Sequence, residues 1–281
     1  MTPSARLVKP VIETRPSRGF RARLEAILPA FLLGLGVIAL LELGSRAGLI
    51  PSFVLPAPSA VLMALTENFD VLAAHSAQTL LEVAIGFTLA TGFGIMTALV
   101  MSAVPLLRRM LMPWFIASQT VPLVALAPLM LVWFGFGPEP KIIIVVLACF
   151  FPITVSFFDG LGRTQPEHLE ILRSYNATLA QSYRFARGPA ALPALFSGLK
   201  TSAAYAVIAA IFAEYVGAYQ GLGIWLLTNA SVRATANVIA GVVLSCVYSL
   251  LIVWAVQWLE SRVLRHRTAN NLEPYSGFGN D

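Results

Sequence analysis

With 57% hydrophobic and only 12% charged residues among 281, the chain carries about half the ~25% charged content of a soluble domain, which excludes a soluble fold. The formal charge of +5 does not mark a nucleic-acid surface, because the basic residues gather beside apolar runs, where they encode membrane topology. Backbone groups in lipid must pair within the spanning structure, and the roughly ten-residue alternating segments of a barrel do not occur, so the expected fold is an all-α membrane protein.

The chain opens on a basic tail over 1–25, holding Arg6, Lys9, Arg15, Arg18, Arg21 and Arg23. The apolar run over 26–45 that follows is longer than the core of a secretory leader. It ends on Glu42, Arg46 and Pro51 rather than on a small-residue cleavage site, so it reads as an uncleaved first span. A proline-rich outer linker over 47–71 then leads into a short interfacial helix, with no function legible in it. The second span, 77–103, is long enough to include an interfacial turn, and Gly86, Gly92 and Gly94 are spaced for close helix approach. Pro105, Arg108, Arg109 and Pro113 predict a tight basic turn before the third span, 112–134. Pro122 and Pro128 each remove a backbone donor and loosen that helix. Further spans fall at 141–158, 192–217 and 236–258, each near the roughly 20 residues that cross a hydrocarbon core. The membrane domain is therefore expected over 26–265, with a polar tail over 266–281.

With both termini inside, sixteen of the nineteen basic residues lie on the inner side, leaving only Arg46, Lys141 and Arg233 outside. The positive-inside bias thus predicts cytoplasmic termini and a cytoplasmic loop over 159–189. That loop is the longest polar stretch inside the membrane domain, and ordering so long a connection costs entropy that a short turn would avoid. Pro166 starts a helical stretch, EHLEILRSY, with acids in its first turn. Asn176 tolerates the left-handed conformation that ends many helices. A second helical stretch, TLAQSYRFAR, is expected to stop at Gly188 and Pro189. The pattern is compatible with an amphipathic loop lying on lipid headgroups or with a knob that docks onto a soluble partner.

Catalytic and metal chemistry find no foothold. The histidines, His75, His168 and His266, are scattered without ligand spacing, and no metal or cofactor is expected. Cys149 and Cys246 lie within apolar runs and read as buried small hydrophobes. Phosphate-loop glycines are missing too; the nearest imitation, Gly198-Leu-Lys-Thr201, lacks the adjacent Gly-Lys. Polar residues within the spans are the candidate translocation pathway, because burying them in lipid is costly. They are Gln119 and Thr120 at the opening of the third span, with Tyr205 and Glu214 in the fifth. Each also has a plain structural reading as an interhelical hydrogen bond or a snorkelling residue, and the role of Glu82 stays open.

The segments LPAPSAVLMAL, TVPLVALAPLMLVWFGFGPEPKI, CFFPITVSFFDGL and AEYVGAYQGLG, together with the 159–189 loop, resemble bacterial permeases of ATP-binding cassette (ABC) importers. The resemblance covers roughly 50–265 and is to the branch with nitrate, taurine, sulfonate and pyrimidine-precursor permeases. Glu170, Ile171, Leu172, Asn176 and Pro189 fall where that family carries its E-A-A, Gly and Leu-Pro loop. Small residues are replaced by Ile171 and Leu172, the glycine by Asn176 and the leucine by Gly188. The resemblance implies a six-helix, type I importer permease in a cell inner membrane, working as a homodimer. Cytoplasmic ATPase subunits and an extracytoplasmic substrate-binding protein are the partners it implies. The loop would dock into the ATPase, with Glu170 meeting a basic partner, Leu172 and Tyr175 filling an apolar pocket, and Pro189 fixing the start of the next span. The permease itself would hydrolyse nothing. The cargo implied is a small solute, with CFFPITVSFFDGL and SAAYAVIAAIFAEYVGA pointing to a hydroxymethylpyrimidine-like thiamine precursor; nitrate, taurine or alkanesulfonate is the alternative. A proton-coupled secondary transporter, relaying protons through Glu82 and Glu214, is the rival from another class.

Overall fold

The computed structural model describes residues 20–49 and 51–270; of the tails expected over 1–25 and 266–281, the parts before Phe20 and after Asn270 lie outside the described residues, while 20–25 and 266–270 belong to helices. Contacts divide the chain into Met1–Ser59 and Ala60–Asp281. In the first unit, α1 (Phe20–Arg46) carries Glu42 near its end. That carboxylate accepts from Arg46 Nε at 2.6 Å, Ser59 N at 3.0 Å and Ser59 Oγ at 2.7 Å. A polar residue in an apolar helix thereby satisfies a backbone donor at the start of the next helix, α2 (Pro58–Glu67).

The second unit contains α3 (Phe69–Ala103), α4 (Pro105–Ser118), α5 (Leu123–Phe134) and α6 (Glu139–Gly162). After it come α7 (Pro166–Ser174), α8 (Leu179–Ser182), a π-helical turn (Tyr183–Arg187), α9 (Gly188–Gly217), α10 (Leu222–Ser231) and α11 (Thr235–Asn270). Among the described residues there are four helical stretches long and apolar enough to cross a membrane: Phe69–Ala103, Glu139–Gly162, Leu179–Gly217 and Thr235–Leu264.

Helix α9 is the hub, packed most extensively against α6 and flanked by α3, α5, α10 and α11. The packing inverts the polarity of a soluble bundle. On α3 the buried face is mostly small or polar (Ser76, Thr79, Glu82, Gly86, Ala90, Gly94, Ala98, beside Leu72, Val83 and Met101), whereas Leu81, Ile85, Leu89, Phe93 and Met96 point outward at spacings of three or four. Lipid tails are as apolar as leucine, so association rests on close backbone approach rather than on apolar burial. A Cβ on Gly86 would lie 2.7 Å from Val145 Cβ, and one on Gly94 would lie 3.0 Å from Ile153. Gly92 has nothing within 4 Å and plays no part in the interface. Between α6 and α9, Ser202 Oγ donates to the Cys149 carbonyl at 2.9 Å and Cys149 Sγ to the Ser202 carbonyl at 3.5 Å.

Several expectations shift. The second span has no interfacial turn; α3 runs unbroken for 35 residues. The basic turn after it narrows to Val104, with Arg108 and Arg109 already inside α4. The third span is two helices, because the chain leaves helical geometry at Gln119–Pro122, where proline has no amide to donate and takes ψ 107°. Pro128 is accommodated inside α5. Cys149 is buried as expected, but Cys246 is exposed on α11.

Candidate functional site

The loop between α6 and α9 is folded by its own residues. Gln165 is extended ahead of Pro166, which opens α7 with Glu167 in the first turn. Asn176 takes φ 53°, the left-handed turn its sequence position predicts. Asn176 N donates to the Arg173 carbonyl and Ala177 N to the Leu172 carbonyl, both at 2.9 Å, which is the Schellman pattern that closes a helix C-terminus. Thr178 and Gln181 then form a reciprocal capping box that opens α8.

The expected stop at Gly188–Pro189 is not there. Pro189 has no amide, and the chain meets this with a π-turn in which Gly188 N donates to the Tyr183 carbonyl. A Cβ at position 188 would sit 2.7 Å from that same carbonyl oxygen, so the leucine usual in such loops does not fit and glycine does. The result is one helical stretch, Leu179–Gly217, running from the loop into the centre of the bundle. Tyr183 fastens it to α3 by donating its hydroxyl to Ser102 Oγ at 2.8 Å.

Glu170 is exposed, Ile171 is 55% and Tyr175 81% exposed, and Leu172 is half-buried in a groove of about 340 Å³ that also includes His168, Phe185 and Pro189. Leu179 and Phe185, which the sequence did not single out, are 60% and 64% exposed. Large apolar side chains exposed on the polar α6–α9 loop and at the loop end of the Leu179–Gly217 stretch are surface without an intramolecular purpose.

The candidate pathway residues separate. Gln119 and Tyr205 meet at a cavity of about 370 Å³ between the α4–α5 break, α6 and α9, with Phe151 and Phe212 in its walls. Neither the Gln119 amide nor the Tyr205 hydroxyl has a hydrogen-bond partner among the described residues. Thr120 sits beside them in sequence but is exposed, and donates to the Ala117 carbonyl at 2.7 Å. Phe151 and Phe212 carried no polar signal, and only the fold brings them in.

Glu214 does not line that cavity. It is fully buried, and Oε1 accepts from Thr79 Oγ1 at 2.6 Å while Oε2 accepts from Gly223 N. Thr79 Oγ1 in turn accepts from Leu222 N at 2.8 Å, and His75 Nδ1 accepts from Gly221 N at 3.0 Å. Side chains of α3 and α9 thus satisfy the orphan amides at the start of α10, with a carboxylate at the positive end of its dipole. Gly221 has φ +138°, and a Cβ there would lie 2.3 Å from the Glu214 carboxyl. The motif AEYVGAYQGLG is therefore a folding device whose acid and glycines serve each other. Glu82, also fully buried, accepts from Gln78 Nε2 at 2.9 Å and has Lys141 Nζ at 4.0 Å. The partners of Glu214 account for its burial, whereas Glu82 Oε2 is buried without a hydrogen-bond partner among the described residues. Among the described residues no cluster of three or more metal-ligating side chains occurs.

Residues 90–265, which contain the loop and the cavity, match the family described as binding-protein-dependent transport system inner membrane component. The chain is 32% identical over 243 residues to a probable ABC transporter permease protein of Haemophilus influenzae, covering 86% of this chain and 98% of that one. It is 36% identical over 172 residues to the formylaminopyrimidine transport permease protein ThiX of Halalkalibacterium halodurans, 61% of this chain and 69% of the relative. A putative aliphatic sulfonates transport permease protein, SsuC of Bacillus subtilis, is 27% identical over 244 residues, 86% of this chain and 88% of the relative. Among solved structures, an amino acid ABC transporter crystallised with histidines shares the fold, with TM-score 0.60 over 71% of this chain and 97% of that one at 16% identity. The long apolar helices and these matches describe a multi-pass inner-membrane protein. The chain belongs to the binding-protein-dependent transport system inner membrane component family, the permeases of ABC importers.

Proposed function

We propose that this chain is the translocating subunit of an ATP-driven importer that crosses the membrane six times with both termini in the cytoplasm and works as a homodimer. Two cytoplasmic ATPase subunits drive it, an extracytoplasmic binding protein delivers its cargo, and the permease itself hydrolyses nothing. The observation that carries this reading is the continuity of the exposed loop with α9. A load applied at Glu170, Ile171, Leu172 and Tyr175 passes the Asn176 turn and enters a 39-residue helical stretch that includes Pro189 and reaches the bundle centre. Packed helices shift between discrete arrangements, so closing an ATPase dimer on that loop would move α9 and its neighbours as rigid bodies.

Gln119 and Tyr205, flanked by Phe151 and Phe212, offer an amide, a phenol hydroxyl and aromatic faces. That combination suits a small flat heterocycle, with polar groups fixing orientation and rings supplying contact. A hydroxymethylpyrimidine-like precursor is the cargo we favour, supported by the formylaminopyrimidine named for one relative. Alkanesulfonate is the second reading, favoured by the relative that covers 86% of this chain; the cavity wall carries no cation to meet such an anion.

Affinity purification of the tagged chain in mild detergent tests the assembly. Wild type should bring down an ATPase subunit, and Glu170→Arg should lose it. A chain that purifies alone, and whose uptake follows the proton gradient, would instead favour a secondary transporter. For cargo, uptake by the reconstituted importer should be competed by aminopyrimidines and not by taurine, with Tyr205→Ala weakening competition about tenfold.

A further inference from the structure

The turn between α3 and α4, the C-terminal end of α6 and the π-turn before α9 enclose a pocket of about 480 Å³ that the proposed transport cycle does not use. Arg108, Arg163 and Arg187 all line it, against the single carboxylate of Asp159. None of these guanidiniums forms an ion pair; the pairs among the described residues are Arg46–Glu42, Lys141–Glu82 and Lys200–Glu260. Arg187 donates one η-nitrogen to the Tyr183 hydroxyl at 3.3 Å and packs its guanidinium on that ring, yet its Nε is buried with no partner. Arg108 lies over the Phe158 ring at 5.1 Å, which holds its fork in place without consuming its donors. Converging, unneutralised guanidiniums with an orphaned buried donor describe a site awaiting an acceptor-rich anion.

We propose that this pocket binds a phosphate-bearing anion, and specifically the headgroup of an anionic phospholipid. The pocket sits where the spanning helices α3 and α6 end. Leu106 and Met110, on α4 beside Arg108, are 66% and 59% exposed and give acyl chains an apolar surface next to the charged mouth. Basic pockets between helices at this depth are where anionic headgroups are held. Binding there would tie the α7-to-α9 loop to α3, α4 and α6 through Arg187, so lipid composition would set how stiffly the loop is held.

The test uses the purified full chain in detergent, measuring retained phospholipid by native mass spectrometry and thermal stability on titration. The probes are phosphatidylglycerol, phosphatidylcholine and inorganic phosphate. Phosphatidylglycerol should be retained in preference to phosphatidylcholine and should raise the melting temperature. Arg187→Gln and Arg163→Gln should each weaken it about tenfold, the size of one lost charge-assisted contact. Arg109→Gln and Arg184→Gln, at the same membrane boundary but outside the pocket, should leave retention unchanged. If Arg187→Gln does not fold, Arg187→Lys keeps the charge, loses the fork and should give a smaller drop. Inorganic phosphate that displaces the lipid and reproduces the shift would assign the site to a soluble phosphate compound. Equal retention of the two lipids, or equal losses in pocket and control variants, would overturn the proposal. An anion response seen only with an ATPase subunit bound would overturn it too, making the pocket a seat for acidic side chains of that subunit.

Discussion

Glu214 and Glu170 are both glutamates on helices of the same unit, and the chain treats them in opposite ways. Glu214 is sealed inside the bundle, with both carboxylate oxygens accepting hydrogen bonds and a glycine backbone pressed against it. Glu170 stands exposed on the short helix α7, which a Schellman turn closes, with no ion pair among the described residues. An acid buried in an apolar bundle is tolerated only where donors already wait for it, so it reports on folding. An exposed acid flanked by exposed Ile171 and Tyr175 reports on what comes from outside. Burial and partner count, rather than residue type, separate architecture from docking in this molecule.

The largest test of that contrast is Glu214→Ala. It removes the acceptors of the Thr79 hydroxyl and of Gly223 N inside a low-dielectric core, and should cost about 3–5 kcal/mol. Thermal unfolding in detergent should show a large loss, and Glu214→Gln, which keeps one acceptor, a smaller one. Unchanged unfolding combined with abolished uptake would return Glu214 to the pathway. A step smaller, Gly86→Ala forces a methyl against Val145 and should cost about 1–3 kcal/mol. Gly92→Ala, six residues further along the same helix, meets open space and should gain about 0.5–1 kcal/mol from helix propensity alone. If the two alanines behave alike, α3 and α6 do not approach at Gly86.

Those two glycines also show what the sequence could convey. Gly86, Gly92 and Gly94 are equivalent in a spacing argument, and only the partner helix distinguishes them. Apolar run length located the long helices because lipid imposes it, and Asn176 and Pro122 each announced a local backbone event that the structure contains. Glu214 was legible as unusual but not as a cap, since Thr79 lies 135 residues away. Lys141 looked like an outer-loop charge and is buried beside Glu82, because Pro138 and Pro140 start α6 early enough to carry it inside. The cavity beside Tyr205 borrows Phe151 and Phe212 from two different helices, and hydropathy treats both as ordinary core.

The smallest expected effect bears on the docking side of the comparison. Asn176 stands where related loops carry glycine, and the substitution raises the question of whether α7 is presented in a different register. The backbone answers it locally: φ 53° and the Ala177-to-Leu172 bond are what a glycine would provide at that position. Asn176→Gly should therefore change stability by less than about 1 kcal/mol, most of it relief of the left-handed strain. Recovery of the ATPase subunit should be untouched. Asn176→Val is the informative partner, because a β-branched side chain resists the left-handed region and the helix can no longer close at Tyr175. It should unfold at nearly the wild-type temperature, since the loop adds little buried area to the bundle, yet lose the ATPase as Glu170→Arg does. Loss of bundle stability with the ATPase retained would mean that the turn serves the fold and that docking uses another surface.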